Sequence, residues 1–265
     1  MATKPALLFV HGAWHIPEHY KKLTTKLSEA GFDVTIPHLP TCTNEVPPPH
    51  GLEDDCKVVR SSAMHLADQG RSIIVLMHSY GGVVGTDSLK DLSFSYRQSQ
   101  GLPGGVVRLI YMCAFLLPVN GTLFNGELAP IVAEQPEQET CTMRKPEYHF
   151  YDEADGPERQ HCMKLLTLHP AEVQKHCTIQ YAAYRDIPTT YLVCEQDRAL
   201  LPEYQKGMIQ AAEGPVIKQG EQNAAVETGG VFGGKIHVMT CNGGHSPFLS
   251  CPDDVVDCVQ QAWKM

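Results

Sequence analysis

The sequence has no apolar run long enough to cross a lipid bilayer, so nothing in it predicts an integral membrane protein. Positive charge is also scarce: 21 Lys and Arg stand against 30 Asp and Glu, for a formal net charge of −9. Because nucleic-acid-binding proteins carry basic patches, this balance argues against a nucleic-acid partner. The chain also lacks a G-x-G-x-x-G turn after its first strand and a P-loop, which disfavours a nucleotide cofactor.

The ten cysteines include no C-x-x-C pair, and the 13 histidines lack the spacing of a metal site. Several cysteines stand inside apolar runs, such as Cys113 in RLIYMCAF and Cys194 in TTYLVCEQD. We therefore expect reduced thiols that pack as small apolar groups, with no disulfide framework, metal or cofactor. The N-terminal segment MATKPALLFVHG has too short an apolar run for a signal peptide, so the expected location is cytoplasmic.

What is present is the composition of an ordinary globular protein, with 43% hydrophobic and 19% charged residues. Apolar runs predict strands, and apolar residues at helical spacing predict the helices between them. This alternation predicts an α/β fold, with a doubly wound, mostly parallel sheet of about six strands. The predicted strands are 6–10, 32–36, 73–77, 106–114, 189–194 and 235–241. The predicted helices are 17–30, 52–69, 83–92 and 252–264.

Residues 118–186 interrupt the alternation, because they are polar, favour helices and carry few strand signals. They are interpreted as a helical cap inserted into an α/β core formed by residues 1–117 and 187–265. The segment after the third helix, up to Gly105, is expected to be a polar, Gly-rich loop. Residues 213–234 are rich in glycine and show no clear period, which is typical of a surface insertion, a functional loop or a disordered segment.

The strongest chemical signal is Met77-His78-Ser79-Tyr80-Gly81-Gly82, which follows a buried predicted strand and opens a predicted helix. This is the context of a nucleophile elbow, G-x-S-x-G, whose sharp turn lifts the serine hydroxyl above the sheet edge. Gly81 fits the motif, whereas Met77 stands where the motif has glycine. The pattern predicts Ser79 as a nucleophile, and the alternative is a turn without chemistry.

A serine hydroxyl needs a base to remove its proton, and in elbow-type enzymes the chain order is serine, acid, histidine. His245 follows the last predicted strand after a Gly-Gly turn, and Glu195 and Asp197 follow the strand before it. Loops at the carboxyl ends of parallel strands are where such sheets build their sites. We predict His245 as the general base and favour Asp197 over Glu195 as the acid. Both carboxylates could instead be solvated loop charges.

Two backbone N–H groups are predicted to stabilise the oxyanion of the reaction. They belong to Tyr80, directly after the nucleophile, and to Ala13, in the turn after the first strand. His11 is expected to hold this turn rather than to transfer protons. The residues expected to contact the substrate are Gly12, Trp14, His78, Phe124 and Phe150, although packing onto the core is the plainer role for any single cap residue.

Four segments of the chain resemble the plant methylesterase/hydroxynitrile lyase-like branch of the α/β-hydrolases and related fungal and bacterial serine hydrolases. They are FVHGAWHIPEHYKKLTTKLSEAGFDVTIPHLP, VLMHSYGGVV, TTYLVCEQDRALLPEYQKGMI and GGHSPFLSCPDDV. The resemblance covers residues 5–115 and 188–262, but not the cap or the 213–234 segment. The triad that it implies is Ser79, Asp197 and His245. The oxyanion donors that it implies are Ala13 and Tyr80.

The resemblance also separates two chemistries. The lyases carry a threonine after the first-strand histidine and a lysine after the catalytic histidine, whereas Gly12 and Ser246 stand here, as in the esterases. The resemblance therefore implies a serine hydrolase that cleaves a small carboxylic ester or lactone through an acyl-enzyme. Two alternatives stay open: retro-Claisen C–C cleavage, decarboxylation or cyclisation at the same site, and a non-catalytic ligand-binding protein. The expected partner is a small-molecule substrate, and the sequence permits a homodimer without fixing the oligomeric state.

Overall fold

The computed structural model describes residues 4–214 and 235–265, and every structural statement below concerns those ranges. Their strands, in chain order, are β1 (Ala6–Val10), β2 (Asp33–Thr35), β3 (Ser72–His78), β4 (Gly105–Met112), β5 (Val132–Gln135), β6 (Thr140–Met143), β7 (His169–Pro170), β8 (Thr189–Cys194) and β9 (His237–Cys241). Their α-helices are α1 (Lys21–Glu29), α2 (Leu52–Asp68), α3 (Gly81–Ser88), α4 (Phe94–Ser99), α5 (Pro146–His149), α6 (Gly156–Leu165), α7 (Ala171–His176), α8 (Pro202–Glu213), α9 (Pro247–Ser250) and α10 (Pro252–Lys264).

Six of the strands form one sheet in the order β2-β1-β3-β4-β8-β9, and all neighbours in it run parallel. Every residue of β1 and of β8 is buried, because helices cover the sheet: α1 packs against α10, and α2 packs against α3. The predicted fold class, a doubly wound parallel sheet of about six strands, is confirmed. The predicted bounds of β1, β8 and α10 agree with the structure to the residue.

The order of the strands places the candidate site. After β1 the chain adds β2 at one edge of the sheet, then returns past β1 to add β3 on its other side. This reversal is a topological switch point, and open α/β sheets bind ligands beside the carboxyl ends of the strands at such a point. The turns after Val10 and His78 therefore meet where a ligand site is expected.

Two predictions need correction. The expected loop before Gly105 contains α4, whose N-cap Ser93 accepts a hydrogen bond from the Tyr96 N–H at 3.2 Å. The insertion at 118–186 is not helical alone, because β5, β6 and β7 form an antiparallel sheet beside its helices. These strands are two to four residues long, too short to produce a clear alternating pattern.

The predicted insertion at 213–234 lies almost wholly outside the described residues, since α8 ends at Glu213 and residues 215–234 are not described. All ten cysteines are free and eight of them are buried. Among the described helices, none is both long and apolar enough to cross a membrane.

Candidate active site

Ser79 occupies the sharp turn between β3 and α3. Its φ of 53° lies in the left-handed region, which a non-glycine residue adopts only where the surrounding structure imposes it. The chain packs closely there: a Cβ on Gly81 would lie 2.3 Å from the Val10 carbonyl oxygen, and one on Gly82 would lie 2.3 Å from that of Phe115. Only glycine fits at these two positions, so the sequence Ser-Tyr-Gly-Gly folds into a nucleophile elbow.

Met77, the bulky residue in the elbow, is accommodated by a glycine elsewhere. A Cβ on Gly85 in α3 would lie 2.5 Å from the Met77 sulfur, and Met77 itself is fully buried. The small residue that allows strand and helix to approach therefore sits one turn into the helix rather than in the strand.

Ser79, His245 and Asp197 form a hydrogen-bonded triad. His245 Nε2 lies 3.0 Å from Ser79 Oγ, and His245 Nδ1 lies 2.8 Å from Asp197 Oδ2. Since a carboxylate can only accept, Nδ1 carries the proton and Nε2 is free to accept the serine proton. The imidazole and the carboxylate are both buried, so the pair is shielded from water.

The structure brings Asp197, not Glu195, to His245. Asp197 Oδ1 accepts from the N–H groups of Ala199 and Leu200 at 2.8 Å each, and Oδ2 also accepts from the Gln205 side chain at 3.2 Å. Glu195 instead pairs with Lys206 at 3.0 Å on the surface. The four donors around Asp197 fix its orientation toward His245.

The Tyr80 N–H is oriented by the carbonyl with which it shares a peptide plane. The Ser79 oxygen accepts from the N–H groups of Gly82 at 3.0 Å and Phe115 at 3.1 Å. Because a trans peptide points its C=O and N–H in opposite directions, these two bonds direct the Tyr80 N–H away from α3 and the loop after β4.

The Ala13 N–H is oriented in the same way by His11. His11 Nδ1 donates to the Gly12 oxygen at 2.9 Å, while Nε2 accepts from the Leu39 N–H at 3.0 Å. Burial lowers the pKa of His11 to about 3, so the ring stays neutral and keeps this tautomer. In the described ranges neither the Ala13 nor the Tyr80 N–H donates to a protein acceptor, which leaves both available to a ligand.

His78 and Gly12, predicted to contact the substrate, lie behind the site. The Gly12 N–H donates to the Tyr20 hydroxyl at 3.0 Å, that hydroxyl donates to His78 Nδ1 at 2.8 Å, and His78 Nε2 donates to the His245 carbonyl at 2.8 Å. Burial holds the pKa of His78 well below its ordinary value, so it stays neutral. We name this chain of bonds the Tyr20–His78 relay; it joins the turn before Ala13 to the backbone of His245.

A small cavity of about 30 Å³ opens at the serine, and we call it the Ser79 pocket. Trp14, Phe124 and Phe150, three of the five predicted substrate contacts, line it, whereas Gly12 and His78 do not. The other lining residues are Ser79, Phe115, Ala129, Ile131, Val132, Met143, Gln174, Ala199, Leu200 and His245. Gln174, from α7 in the cap, is a polar lining residue that no sequence pattern singled out.

The cap is bonded to three of the four turns on which the site is built, those of Trp14, Asp197 and His245. Trp14, whose φ is 62°, donates its indole N–H to the Cys141 oxygen at 2.8 Å, and its own carbonyl accepts from the Thr167 N–H at 2.9 Å. Glu153 accepts from the Gly244 N–H at 2.6 Å, one residue before His245. Asp152 pairs with Arg198 at 2.9 Å, one residue after Asp197. The cap therefore fixes all three turns as well as covering them.

One group of side chains in the described ranges has the composition of a metal site. It comprises His78, Cys113 and His245, whose ligand atoms lie within 4.8 Å of one another. The nitrogens of both histidines already serve the Tyr20–His78 relay and the triad. Burial also raises the pKa of the Cys113 thiol to about 12, which opposes the thiolate that a metal requires. The hydrogen bonds account for this cluster without a metal.

A parallel sheet with a serine at a strand-to-helix elbow, hydrogen-bonded to a histidine and an aspartate from two later strand ends, defines a class of α/β enzymes with a nucleophilic serine. The sequence profile of the Alpha/beta hydrolase family matches residues 7–258. The chain belongs to that family.

Relatives and solved structures agree with this assignment. An alpha/beta hydrolase of Aspergillus novofumigatus, nvfD, is 29% identical over 98% of this chain and 96% of its own length. The pyrethroid hydrolase from Sphingobium faniae superposes with a TM-score of 0.68 at 16% identity, covering 98% of this chain and 97% of the other. The methylesterase MES16 from Arabidopsis gives a TM-score of 0.68 at 18% identity, covering 98% and 99%. At these identities the two structures establish the fold.

Proposed function

We propose that the protein hydrolyses a carboxylic ester or lactone through an acyl-enzyme formed on Ser79. The observation that carries the proposal is the hydrogen-bonded series from Asp197 through His245 to the Ser79 hydroxyl, with distances of 2.8 and 3.0 Å. These are the contacts that a general base needs to activate a serine. The esterase and hydrolase names of the relative and the two structural neighbours support the same chemistry.

In the first half of the reaction, Ser79 Oγ attacks the ester carbonyl while His245 Nε2 takes the hydroxyl proton. Asp197 holds Nδ1–H and stabilises the imidazolium that forms. The N–H groups of Ala13 and Tyr80 are the proposed donors to the tetrahedral oxyanion. His245 then returns its proton to the leaving alkoxide, which departs as the alcohol and leaves the acyl group on Ser79.

In the second half, water attacks the acyl-enzyme and His245 accepts one of its protons. Collapse of the second tetrahedral intermediate breaks the bond to Ser79 Oγ, and the same proton returns to that oxygen. The carboxylic acid leaves and the triad regains its starting state. A lactone follows the same steps, except that its alcohol and acid remain one molecule.

The test is the Ser79→Ala variant, assayed on p-nitrophenyl acetate and butyrate. We expect kcat/KM to fall by about 10⁴-fold or more, because the attacking oxygen is lost. Ser88→Ala is the matched control: Ser88 is buried at the end of α3, the helix that follows the elbow, and its hydroxyl donates to the Val84 carbonyl. We expect this control to retain turnover within about twofold.

A fluorophosphonate probe separates the alternatives. Labelling of the parent protein but not of Ser79→Ala, together with ester turnover, supports the proposal. Labelling without turnover of any simple ester would point to C–C cleavage, decarboxylation or cyclisation at the same serine. Full turnover by Ser79→Ala would contradict the assignment of Ser79 as the nucleophile.

A further inference from the structure

A second, much larger cavity adjoins the Ser79 pocket. It measures about 610 Å³, against about 30 Å³ for the pocket at the serine. We call it the outer chamber; it lies between the cap segment 123–131 and the start of α8. The residues that line both cavities are Phe115, Phe124, Ala129, Ile131, Ala199 and Leu200. The two cavities therefore adjoin each other, with the smaller one at the serine.

Among its described lining residues, the outer chamber is mostly apolar and has no uncommitted positive charge. Of its 16 lining residues, 12 are apolar, and the other four are Asn125, Glu127, Arg198 and Tyr204. Arg198 pairs with Asp152 at 2.9 Å and stacks over the Tyr148 ring at 4.7 Å. Since this guanidinium is already engaged, it would stabilise an anionic ligand in the chamber only weakly. The Glu127 carboxylate would repel such a ligand. The chamber suits an uncharged, apolar molecule.

The difference in size restricts how such a molecule sits. The Ser79 pocket is far smaller than the outer chamber, so the body of a bulky substrate cannot lie within it. The outer chamber falls within the range of pockets that hold drug-sized ligands. The adjoining chamber offers the space that a large substituent on the reacting carbonyl needs.

We propose that the substrate is a bulky, uncharged and largely apolar ester or lactone, whose body occupies the outer chamber while its carbonyl enters the Ser79 pocket. This inference rests on the proposed ester hydrolysis and narrows it to a substrate class. Phe124 and Leu200, which line both cavities, then contact the substrate beside its carbonyl, and Leu128 and Leu201 contact only its distal body.

The test narrows the chamber with tryptophan. Leu201→Trp changes a side chain that is 43% exposed, and Leu128→Trp acts from the opposite wall. The matched control is Leu102→Trp, 48% exposed and outside the chamber. Hydrolysis of methyl acetate, methyl 2-naphthoate and 2-naphthyl acetate is followed in a pH-stat. These esters are respectively small, bulky in the acyl group and bulky in the alcohol.

In both chamber variants we expect kcat/KM for at least one bulky ester, divided by that for methyl acetate, to fall about tenfold or more. The ratio should stay within about twofold in Leu102→Trp. The bulky ester that loses rate identifies which side of the ester faces the chamber. Ratios that stay at the parent value in both chamber variants would overturn the proposal while leaving ester hydrolysis intact.

A binding measurement keeps the chamber testable if no ester is hydrolysed. The Ser79→Ala protein is titrated with N-phenyl-1-naphthylamine, an uncharged apolar dye whose fluorescence rises in apolar surroundings. We expect saturable binding, weakened about tenfold by Leu201→Trp and unchanged by Leu102→Trp. Dye binding, if the parent protein hydrolyses no ester, would support the chamber as a binding site and reject ester hydrolysis. No saturable dye binding would reject the chamber as a binding site.

Discussion

The turns beneath the serine and the walls of the outer chamber are built in opposite ways. At the inner end, formed by the turns of the core sheet, polar groups are buried and joined by hydrogen bonds, as in the triad and the Tyr20–His78 relay. At the outer end, between the cap and α8, the chamber walls are mostly apolar and open to solvent. Buried polar networks tolerate little change, whereas an open apolar wall can be altered at small energetic cost.

This difference indicates a division of labour. Fixed donors and acceptors at the inner end suit a reaction whose charge develops at one point. Replaceable apolar side chains at the outer end suit the choice of substrate, because each alters only the shape of the chamber. We expect substitutions at the inner end to act on rate or stability, and those at the outer end to act on substrate preference.

Of the substitutions that leave Ser79 in place, Asp197→Asn should have the largest effect. The change keeps the volume of the side chain but lets the amide donate to His245, which favours the wrong tautomer, so kcat should fall by about 10⁴-fold. The matched control is Glu195→Gln two residues earlier, which removes only a surface pair with Lys206. It should change kcat by less than about twofold. Steady-state kinetics on p-nitrophenyl acetate measures both, and a larger loss in Glu195→Gln would assign the acid to Glu195 instead.

The inner end is also the part that the sequence predicts well. Ser79 and His245 stand out because local patterns, an apolar strand followed by a glycine turn, determine their positions. The parallel sheet follows from the same strand and helix periodicities. Met77 departs from the elbow motif in the sequence because Gly85, the small residue that makes room for its side chain, lies in the next helix.

The rest depends on contacts between distant parts of the chain. Tyr20 meets His78 across 58 positions, and Glu153 meets Gly244 across 91. A single sequence carries no signal for such pairs. His78, predicted to contact the substrate, has both ring nitrogens bonded within the relay. The strands of the cap were missed because segments of two to four residues show no period.

A second, smaller effect is expected on stability, when glycine is replaced by alanine at each of the two ends. Gly85→Ala in α3 places a Cβ against the Met77 sulfur and should lower the free energy of unfolding by about 1–3 kcal/mol. Gly207→Ala in α8, the helix that lines the chamber, meets no atom within 4 Å. It should raise that free energy by up to about 1 kcal/mol, because alanine favours a helix over glycine. Urea denaturation of both variants measures the contrast.

Met77→Ala tests the cause of the Gly85 effect. Alone it should cost about 2–4 kcal/mol by leaving a cavity. Combined with Gly85→Ala it should cost at least about 1 kcal/mol less than the sum, because the new methyl group enters the vacated space. Additive losses would show that the two residues do not share the space, and destabilisation by Gly207→Ala would contradict the contrast between the two ends.

The smallest effect on rate should come from Tyr20→Phe, which breaks the Tyr20–His78 relay without touching the triad. The Gly12 N–H loses its acceptor and His78 Nδ1 loses its donor, so the turn before Ala13 is less firmly held. We expect kcat to fall roughly tenfold with KM nearly unchanged, because a misplaced oxyanion donor weakens binding of the transition state more than of the substrate.

Tyr111→Phe is the control, since it also removes a buried tyrosine hydroxyl bond, to Thr86 in α3. It should lower the free energy of unfolding by about 1 kcal/mol and leave kcat unchanged. Equal losses of kcat in the two variants would mean that the relay contributes only to stability, and that positioning at the inner end depends on His11 and the Ser79 carbonyl alone.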